Sequence, residues 1–211
     1  YSYASFDDTT IRIAIKEWKN NKIECEKKYG PISLWCVSNV SDMSNLFCGM
    51  KNFNEDLSSW DVSNVINMSS MFLGCKHFNQ NLSSWNVSNV CDTSYMFNGC
   101  YLFNQNLSLW NVSNVLSMCS MFAHCTHFNQ NLGLWDVSNV RNMSSLFEGC
   151  EKFNQDLSNL PRDLSFLAFC FADKFNKDMS NLPQGITHLI LGNALKKQCA
   201  IPLNIQHLKL N

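Results

Sequence analysis

The chain has 211 residues, of which 45% are hydrophobic, with a formal net charge of −1 at pH 7 and a pI near 6.5. A net charge so close to zero provides no electrostatic footprint for nucleic acid or for an anionic membrane, so neither is favoured as a partner. No segment approaches the roughly 18 uninterrupted apolar residues of a membrane span, and none is predicted. The sequence starts at Tyr1 without an initiator Met or an apolar leader, so we expect a trimmed chain.

The first predicted element is a helix over residues 8–20. Its apolar residues Ile11, Ala14, Ile15 and Trp18 follow the spacing of a single helix face, behind a run of Asp and Thr that can cap the N-terminus. This is the one helical pattern that the sequence contains. A single helix with one apolar stripe must cover another surface, so we expect residues 1–30 to cap the open end of a stack of repeats.

A 25-residue repeat follows the cap, over residues 31–158. Each unit follows the pattern F-N-x-x-L-S-x-W-x-V-S-N-V-x-x-M-S-x-M-F-x-G-C. The tryptophans that mark the interval, with Leu160 in the next place, are Trp35, Trp60, Trp85, Trp110 and Trp135. Self-similarity at a fixed period is typical of a solenoid, in which each unit stacks on its neighbours. Positions 25 residues apart then form columns along the stack.

The period shortens over residues 159–211. The N-L-P segment at Asn159 recurs 22 residues later at Asn181, and residues 186–191 and 205–210 both fit L-x-x-L-x-L, the strand pattern of leucine-rich repeats. Aligning all units predicts one short strand in each of eight rungs. These strands begin at Val40, Val65, Val90, Val115, Val140, Leu164, Ile186 and Ile205.

The rest of each unit connects one strand to the next. The S-x-M-F-x-G-C segment predicts a short helical turn on the outer side, with a Gly at its end. His124 replaces that Gly in one unit, which argues against an obligatory positive φ at this position. The L-S-x-W-x-V stretch predicts extended backbone that returns to the strand.

The repeat unit resembles a known group of proteins. The unit Phe53–Val65, F-N-E-D-L-S-S-W-D-V-S-N-V, and its copies resemble the BspA-like leucine-rich repeats of bacterial surface proteins and mycoplasma lipoproteins. The N-L-P segments at Asn159 and Asn181, with I-T-H-L at Ile186, are similar to the FNIP repeats of giant DNA viruses of amoebae and of social amoebae. The resemblance implies a binding or display surface and no shared catalytic residue.

The pattern and the resemblance together predict one solenoid domain over residues 1–211. We expect a leucine-rich-repeat-like right-handed stack with a parallel β-sheet face, short helical turns outside and an N-terminal capping helix. The Trp column is interpreted as core, because burying roughly 150–250 Å² per ring outweighs any surface contact; an exposed platform for carbohydrate is the alternative. The column from Asn54 to Asn154, which continues at Asn176, predicts inward amides that bond backbone in their own and neighbouring units.

The cysteines are interpreted as part of the scaffold. Eleven are present, and Cys75, Cys100, Cys125 and Cys150 share one column. Parallel side chains in stacked rungs lie about 4.8 Å apart, beyond the usual Cβ separation in a disulfide, and a linear file cannot converge on one tetrahedral zinc. We predict buried free thiols and no metal or other cofactor. Free thiols in this number favour a reducing compartment, in a cell, a virus or a host cytoplasm; a cell or virion surface is the alternative.

No catalytic constellation is found in the sequence. His77, His124 and His127 lie on or beside the outer turn, and His188 and His207 share an outward column, without Cys, Asp or Glu beside them at ligand spacing. Phosphate-binding loops, nucleophile elbows and zinc-protease motifs are absent as well. The chain is therefore predicted not to be an enzyme.

The candidate binding surface lies where the columns are irregular. Between the Val and the Met of each predicted strand, two outward positions change freely, and exposed aliphatic residues there indicate a covered patch. The candidate partner-binding residues are Asp42, Ile66, Asn67, Cys91, Asp92, Leu116, Ser117, Arg141, Asn142, Thr187 and His188.

The leading hypothesis is a non-catalytic module that binds a protein partner through this strand face. The alternative is a structural or adhesin-like display protein on a virion or cell surface, in which the repeats supply length. The chain stops directly after an L-x-x-L-x-L strand, so self-association through the C-terminal edge is a further expectation.

Overall fold

The computed structural model describes residues 4–155, 166–169, 186, 188–191 and 205–210. The N-L-P segments, Thr187 and the C-terminal residue lie outside this part of the chain. The named elements are, in chain order, β1 (Ser5–Asp7), α1 (Asp8–Asn20), α2 (Lys22–Tyr29), a 3-10 helix (Ile32–Leu34), β2 (Cys36–Asn39), β3 (Phe166–Phe169), β4 (His188–Leu191) and β5 (His207–Leu210).

Helix α1 occupies the predicted span. The Asp7 carboxylate caps it by accepting the N–H of Thr10, and the Thr10 hydroxyl reaches back to Asp7. The Trp18 ring packs edge-on against Phe53 of the first repeat, with 5.6 Å between ring centroids. The buried residues of α1 are Ile11, Ala14 and Ile15. The apolar stripe of α1 therefore belongs to the same core as the repeats.

Helix α2 was not predicted, so the expectation of a single helical segment is wrong. Of its residues only Cys25 is buried, which leaves no apolar period for the sequence to display. The Asn21 side chain caps the helix by accepting the N–H of Glu24. Lys28 pairs with Glu17 of α1 at 2.9 Å. Capping bonds and surface ion pairs stabilise this helix. A search for hydrophobic periodicity does not detect such interactions.

Successive units are joined by a backbone ladder. Parallel bridges connect the residues at one position of each unit in turn, namely Asp42, Asn67, Asp92, Ser117 and Asn142. At the first of these steps Ile66 N–H donates to the Ser41 carbonyl, and Met43 N–H donates to the Asn67 carbonyl. The same pair of bonds recurs at each step to residue 142, so the units keep a constant register.

Over residues 40–145 the extended segments are shorter than predicted. Each is a single bridging residue, because a turn closes on either side of it. In the first unit Val40 N–H bonds to the Val37 carbonyl before the bridge, and Leu46 N–H bonds to the Met43 carbonyl after it. Regular strands occur further along, where β3, β4 and β5 pair in parallel and in register, with Phe166 opposite His188 and His188 opposite His207.

The predicted outer helical turn is absent from the described repeats. In the first unit the N–H groups of residues 45, 47 and 49 donate to carbonyls of residues 69–73 in the next unit, while residues 46, 48 and 50 close tight turns within their own unit. Alternate N–H groups therefore point out of the unit, which a helix does not allow. The backbone has positive φ at Asn45 (58°) and Gly49 (73°), and this pair of left-handed residues recurs along both columns.

His124 corrects a second expectation about this turn. Its φ is +59°, so it keeps the left-handed conformation that glycine adopts at the equivalent places in the other units. Stacking on the neighbouring units fixes the backbone conformation here. His124 therefore adopts the strained left-handed conformation, and the backbone does not change.

The core is a file of stacked aromatic rings. Phe72 and Phe97 lie in one column, with 5.6 Å between centroids and 5° between ring planes, and Phe78 and Phe103 stack likewise in a second column. The tryptophans of the repeat are 3–5% exposed, which confirms their interpretation as core. From Trp60 onward each indole N–H donates to a carbonyl of the preceding unit, as Trp85 does to Leu57 at 2.9 Å, whereas Trp35 donates to Gly30 of the cap.

The Asn and Cys columns are also ladders. Asn79 N–H donates to Oδ1 of Asn54 at 2.9 Å, and this bond recurs to Asn154. These residues are half-buried or exposed, and their bonding to the backbone of the neighbouring unit is as predicted; Asn176 lies outside the described residues. The Cys column is buried, and each thiol contacts a Phe carbonyl of the preceding unit, as Cys100 does with Phe72 at 3.1 Å. All nine cysteines in the described residues are free.

Candidate binding face

The candidate face consists of two adjacent columns. We call Ser41, Ile66, Cys91, Leu116 and Arg141 the first face column, and the bridge residues Asp42, Asn67, Asp92, Ser117 and Asn142 the second face column. Backbone bonds hold both in place, since each first-column N–H from Ile66 onward donates to the carbonyl of its predecessor at 2.8 Å. The two columns present their side chains on a backbone whose spacing is set by the ladder.

The second face column has a structural task that the sequence analysis missed. Oδ1 of Asp92 accepts the N–H of Ser94 at 2.7 Å, and Asp42, Asn67 and Asn142 make the same bond to the Ser two residues further on. Such Asx turns explain why the column contains only Asp, Asn and Ser. The restriction to these types was the available signal, and it was interpreted as free variation. These side chains are largely committed to the turn.

The first face column is different. Ser41 donates its hydroxyl to the Asp8 carboxylate at 2.7 Å, but the side chains from Ile66 onward are exposed or partly exposed. Ile66 is 52% exposed and Leu116 is 43% exposed. Cys91 lies between them, partly exposed, with a long contact from its sulfur to the Asn89 carbonyl at 3.7 Å. Ile66 and Leu116 are two rungs apart, about 10 Å at the spacing of parallel strands. The result is an apolar strip on a face that is otherwise polar.

Arg141 ends this strip with a positive charge. It is exposed, and within the described residues its guanidinium makes no ion pair. The carboxylate of Asp42, at the other end of the face, pairs with Arg12 of α1 at 3.1 Å. Asp42 is therefore engaged by the cap, whereas Arg141 is free to meet a carboxylate of another molecule.

Helix α1 closes the upper edge of the face by replacing a missing unit. The Asp8 carboxylate accepts the N–H groups of Ser41 and Asp42 at 2.7 and 2.9 Å. In the next unit the equivalent N–H groups, of Ile66 and Asn67, donate to a single carbonyl, that of Ser41. Asp8 thus takes the place of a ladder carbonyl.

Arg12 supplies the complementary donors. Its guanidinium donates to the carbonyls of Ser44 at 2.7 Å and Asp42 at 3.1 Å. One unit later the equivalent carbonyls, of Ser69 and Asn67, accept backbone N–H groups from the preceding unit. Burial acts to raise the pKa of Asp8, but the bonds from Asp42 and Ser41 and the charge of Arg12 outweigh it and hold that pKa below its usual value.

The remaining candidate residues lie further along the chain. His188 begins β4 and is paired with Phe166 and His207, and Thr187 is outside the described residues. Several exposed apolar residues were not predicted, and three of them lie in the repeats at positions that are Ser in other units: Tyr95 at 41%, Leu109 at 79% and Leu134 at 78%. The signal was available, since each replaces a small polar residue found elsewhere in its column. None of the three belongs to the two face columns.

Metal-ion clusters and membrane-spanning helices are both absent from the described residues. His, Cys, Asp and Glu side chains there do not gather in any group of three or more that could hold a metal ion. No helix in this part of the chain is long and apolar enough to cross a membrane.

Units of 25 residues that share one ladder and one aromatic core define a repeat protein. A family model described as "Mycoplasma protein of unknown function, DUF285" matches residues 16–116 and 85–182. These overlapping matches span well over half of the chain, which therefore belongs to this family. The mycoplasma-type part of the resemblance is thereby confirmed. Comparison with curated proteins and with solved structures gave no match.

Proposed function

We propose that the chain is a non-catalytic protein-interaction module that binds a protein partner through the first face column. The observation that supports it best is the exposure of Ile66 (52%) and Leu116 (43%) in a column where Ser41, whose hydroxyl bonds to Asp8, shows that a polar residue is accommodated. The fold does not require these aliphatic side chains. Covering them with a partner removes apolar surface from water.

The proposal includes the architecture that presents the face. A leucine-rich-repeat-like, right-handed solenoid with an N-terminal cap offers an extended surface, and repeat proteins bind their partners with such surfaces. FNIP-like units over residues 159–211 would extend the face through Thr187 and His188. Arg141 gives the partner's matching surface a preferred charge, because a carboxylate placed opposite it gains a charge-assisted hydrogen bond.

The test replaces three face residues by serine. Ile66→Ser, Leu116→Ser and Arg141→Ser together copy the residue at position 41, so the fold should tolerate them. Immobilised wild-type and variant chains are incubated with host extract, and bound proteins are quantified by mass spectrometry. We expect a defined protein to be lost from the variant while its melting temperature stays within a few degrees of the wild type.

The matched control changes exposed leucines outside the face. Leu109→Ser and Leu134→Ser remove residues that are even more exposed, at positions where Ser59 and Ser84 occur in other units. The control should retain the bound protein. Equal binding by all three chains would contradict the proposal and favour the structural or adhesin-like display role, whereas unfolding of the triple variant would show that the face is part of the scaffold.

A further inference from the structure

A groove of about 280 Å³ separates α1 from the first repeat unit. Its walls belong to two elements that the cap brings together. The lining residues are Arg12, Ile15, Lys16, Lys19, Asn45, Leu46, Cys48 and Met50. This groove plays no part in the proposed binding face, apart from Arg12, which bonds the edge of that face.

The charge of the groove is positive, and its two lysines are unpaired within the described residues, whereas Arg12 pairs with Asp42. Arg12, Lys16 and Lys19 lie on one side of α1, and no carboxylate is among the lining residues. Lys16 and Lys19 make no ion pair with any described residue. Elsewhere in the cap the lysines are paired: Lys22 with Glu26 and Glu55, Lys27 with Glu24, and Lys28 with Glu17. The cap thus neutralises its lysines except where they face the groove.

The floor of the groove is apolar. Ile15 and Leu46 belong to the core and are 5% and 6% exposed, and Met50 packs against the same cluster. The thiol of Cys48 and the side chain of Asn45 complete the wall on the repeat side. A ligand here would meet the side chains of two lysines, together with Met50 and the small exposed parts of Ile15 and Leu46.

We propose that this groove binds a phosphate monoester with a small apolar body. The guanidinium of Arg12 is committed to the carbonyls of Asp42 and Ser44, so it cannot offer a free fork to a planar carboxylate. The available charges are the ammonium groups of Lys16 and Lys19, which suit a compact phosphate dianion as point charges. The apolar part of the ester then lies on Met50 and on the exposed edges of Ile15 and Leu46. The volume suits a small ligand.

The experiment titrates the chain with phenyl phosphate and follows Cys48 alkylation by peptide mass spectrometry alongside calorimetry. We expect saturable binding that protects Cys48, and Lys16→Gln with Lys19→Gln should weaken it about tenfold or more, since each lost charge-assisted bond is worth more than a neutral one. The control, Lys27→Gln with Lys28→Gln, removes equal charge outside the groove and should leave binding unchanged.

Two further probes separate the chemistry and its source. Benzoate, which has the ring without the phosphate, should bind at least tenfold more weakly. A phosphotyrosine peptide that binds more tightly than phenyl phosphate indicates a modified protein as the source, and weaker binding indicates a free metabolite. Absence of saturable phenyl phosphate binding, equal binding of benzoate, or full binding by the Lys16/Lys19 variant would overturn the proposal. None of these results depends on the strand face.

Discussion

The residue that ends each outer turn is constrained by the backbone of the units around it. His124 adopts φ +59° where other units have glycine, which costs about 1–2 kcal/mol for an L-residue. His124→Gly relieves this strain and adds some freedom to the unfolded chain, so we expect a net gain of about 0.5–1 kcal/mol. Thermal and urea unfolding measure it. No gain in stability would mean that the His124 side chain contributes contacts that outweigh the strain.

Gly149, one unit further on, shows the opposite response. A Cβ at this position would lie 2.5 Å from Nδ1 of His124, on a backbone with φ +69°. Gly149→Ala should therefore destabilise the chain by about 1–3 kcal/mol. Combining it with His124→Gly removes the clash but not the strain, so the double variant should lose less than the two single effects predict. Strict additivity in unfolding experiments would show that the two residues do not interact.

The thiols fall into two classes of reactivity. Burial raises the pKa of Cys75 to about 12 and raises the pKa values of Cys100, Cys125 and Cys150 as well. The nucleophilic thiolate is therefore scarce at pH 8, and the column thiols should resist iodoacetamide until the chain unfolds. The partly exposed thiols, Cys36, Cys48, Cys91 and Cys119, should react in the folded state. Peptide mass spectrometry with and without urea checks this, and rapid labelling of Cys100 in the folded chain would contradict it.

Among the elements, the N-terminal cap is joined to the edge of the ladder by the side chains of Asp8 and Arg12. Asp8→Ala would leave the N–H groups of Ser41 and Asp42 without their acceptor, and should cost about 1–3 kcal/mol. Because the folded-state pKa of Asp8 lies below its usual 3.8, its contribution is complete above that pH and is lost as the pH falls through the folded-state pKa. Urea unfolding at pH 7 and pH 3 measures both effects. The destabilisation by Asp8→Ala should shrink at pH 3, and an undiminished effect would contradict this role.

The elements differ in how much the sequence could predict. Helix α1 was predictable because its apolar residues follow one helix face, whereas α2 buries only Cys25 and gives no such pattern. The bridge positions were placed at the right residues, since Val40 and Met43 flank Asp42 in the repeat. The outer turn could not be predicted, because its backbone conformation depends on hydrogen bonds from Asn45 to the next unit. The conformational propensity of a single segment contains no information about those bonds. The Asx turns could have been predicted from the restriction of the second face column to Asp, Asn and Ser, but these residues were interpreted as freely varying.

At the scale of the whole molecule, stability is shared among neighbouring units. In the described residues, the ladder bonds, the Trp N–H bonds and the Phe stacking of a unit all join it to the adjacent units. This is expected for a repeat array. This explains why the scaffold was easier to predict than the site. Residues of a column that pack on each other in successive units must be alike, so they repeat in the sequence. Ile66 and Leu116 differ from them because the fold gives no structural reason for an aliphatic side chain there. That absence becomes visible once the Asx turns beside them are seen.

Nearest-neighbour stacking predicts that one complete unit can be removed. Deletion of residues 76–100 joins Cys75 to Tyr101 and leaves every later residue in its column. We expect a cooperative melt at a lower temperature, because one unit and one interface are lost while the others remain. Deletion of residues 77–100 is the control: it shifts each later residue by one position, so buried Phe103 and Trp110 would leave their columns. That variant should lose the cooperative transition in circular dichroism. Similar melting of the two deletions would show that register between the units does not hold the fold together.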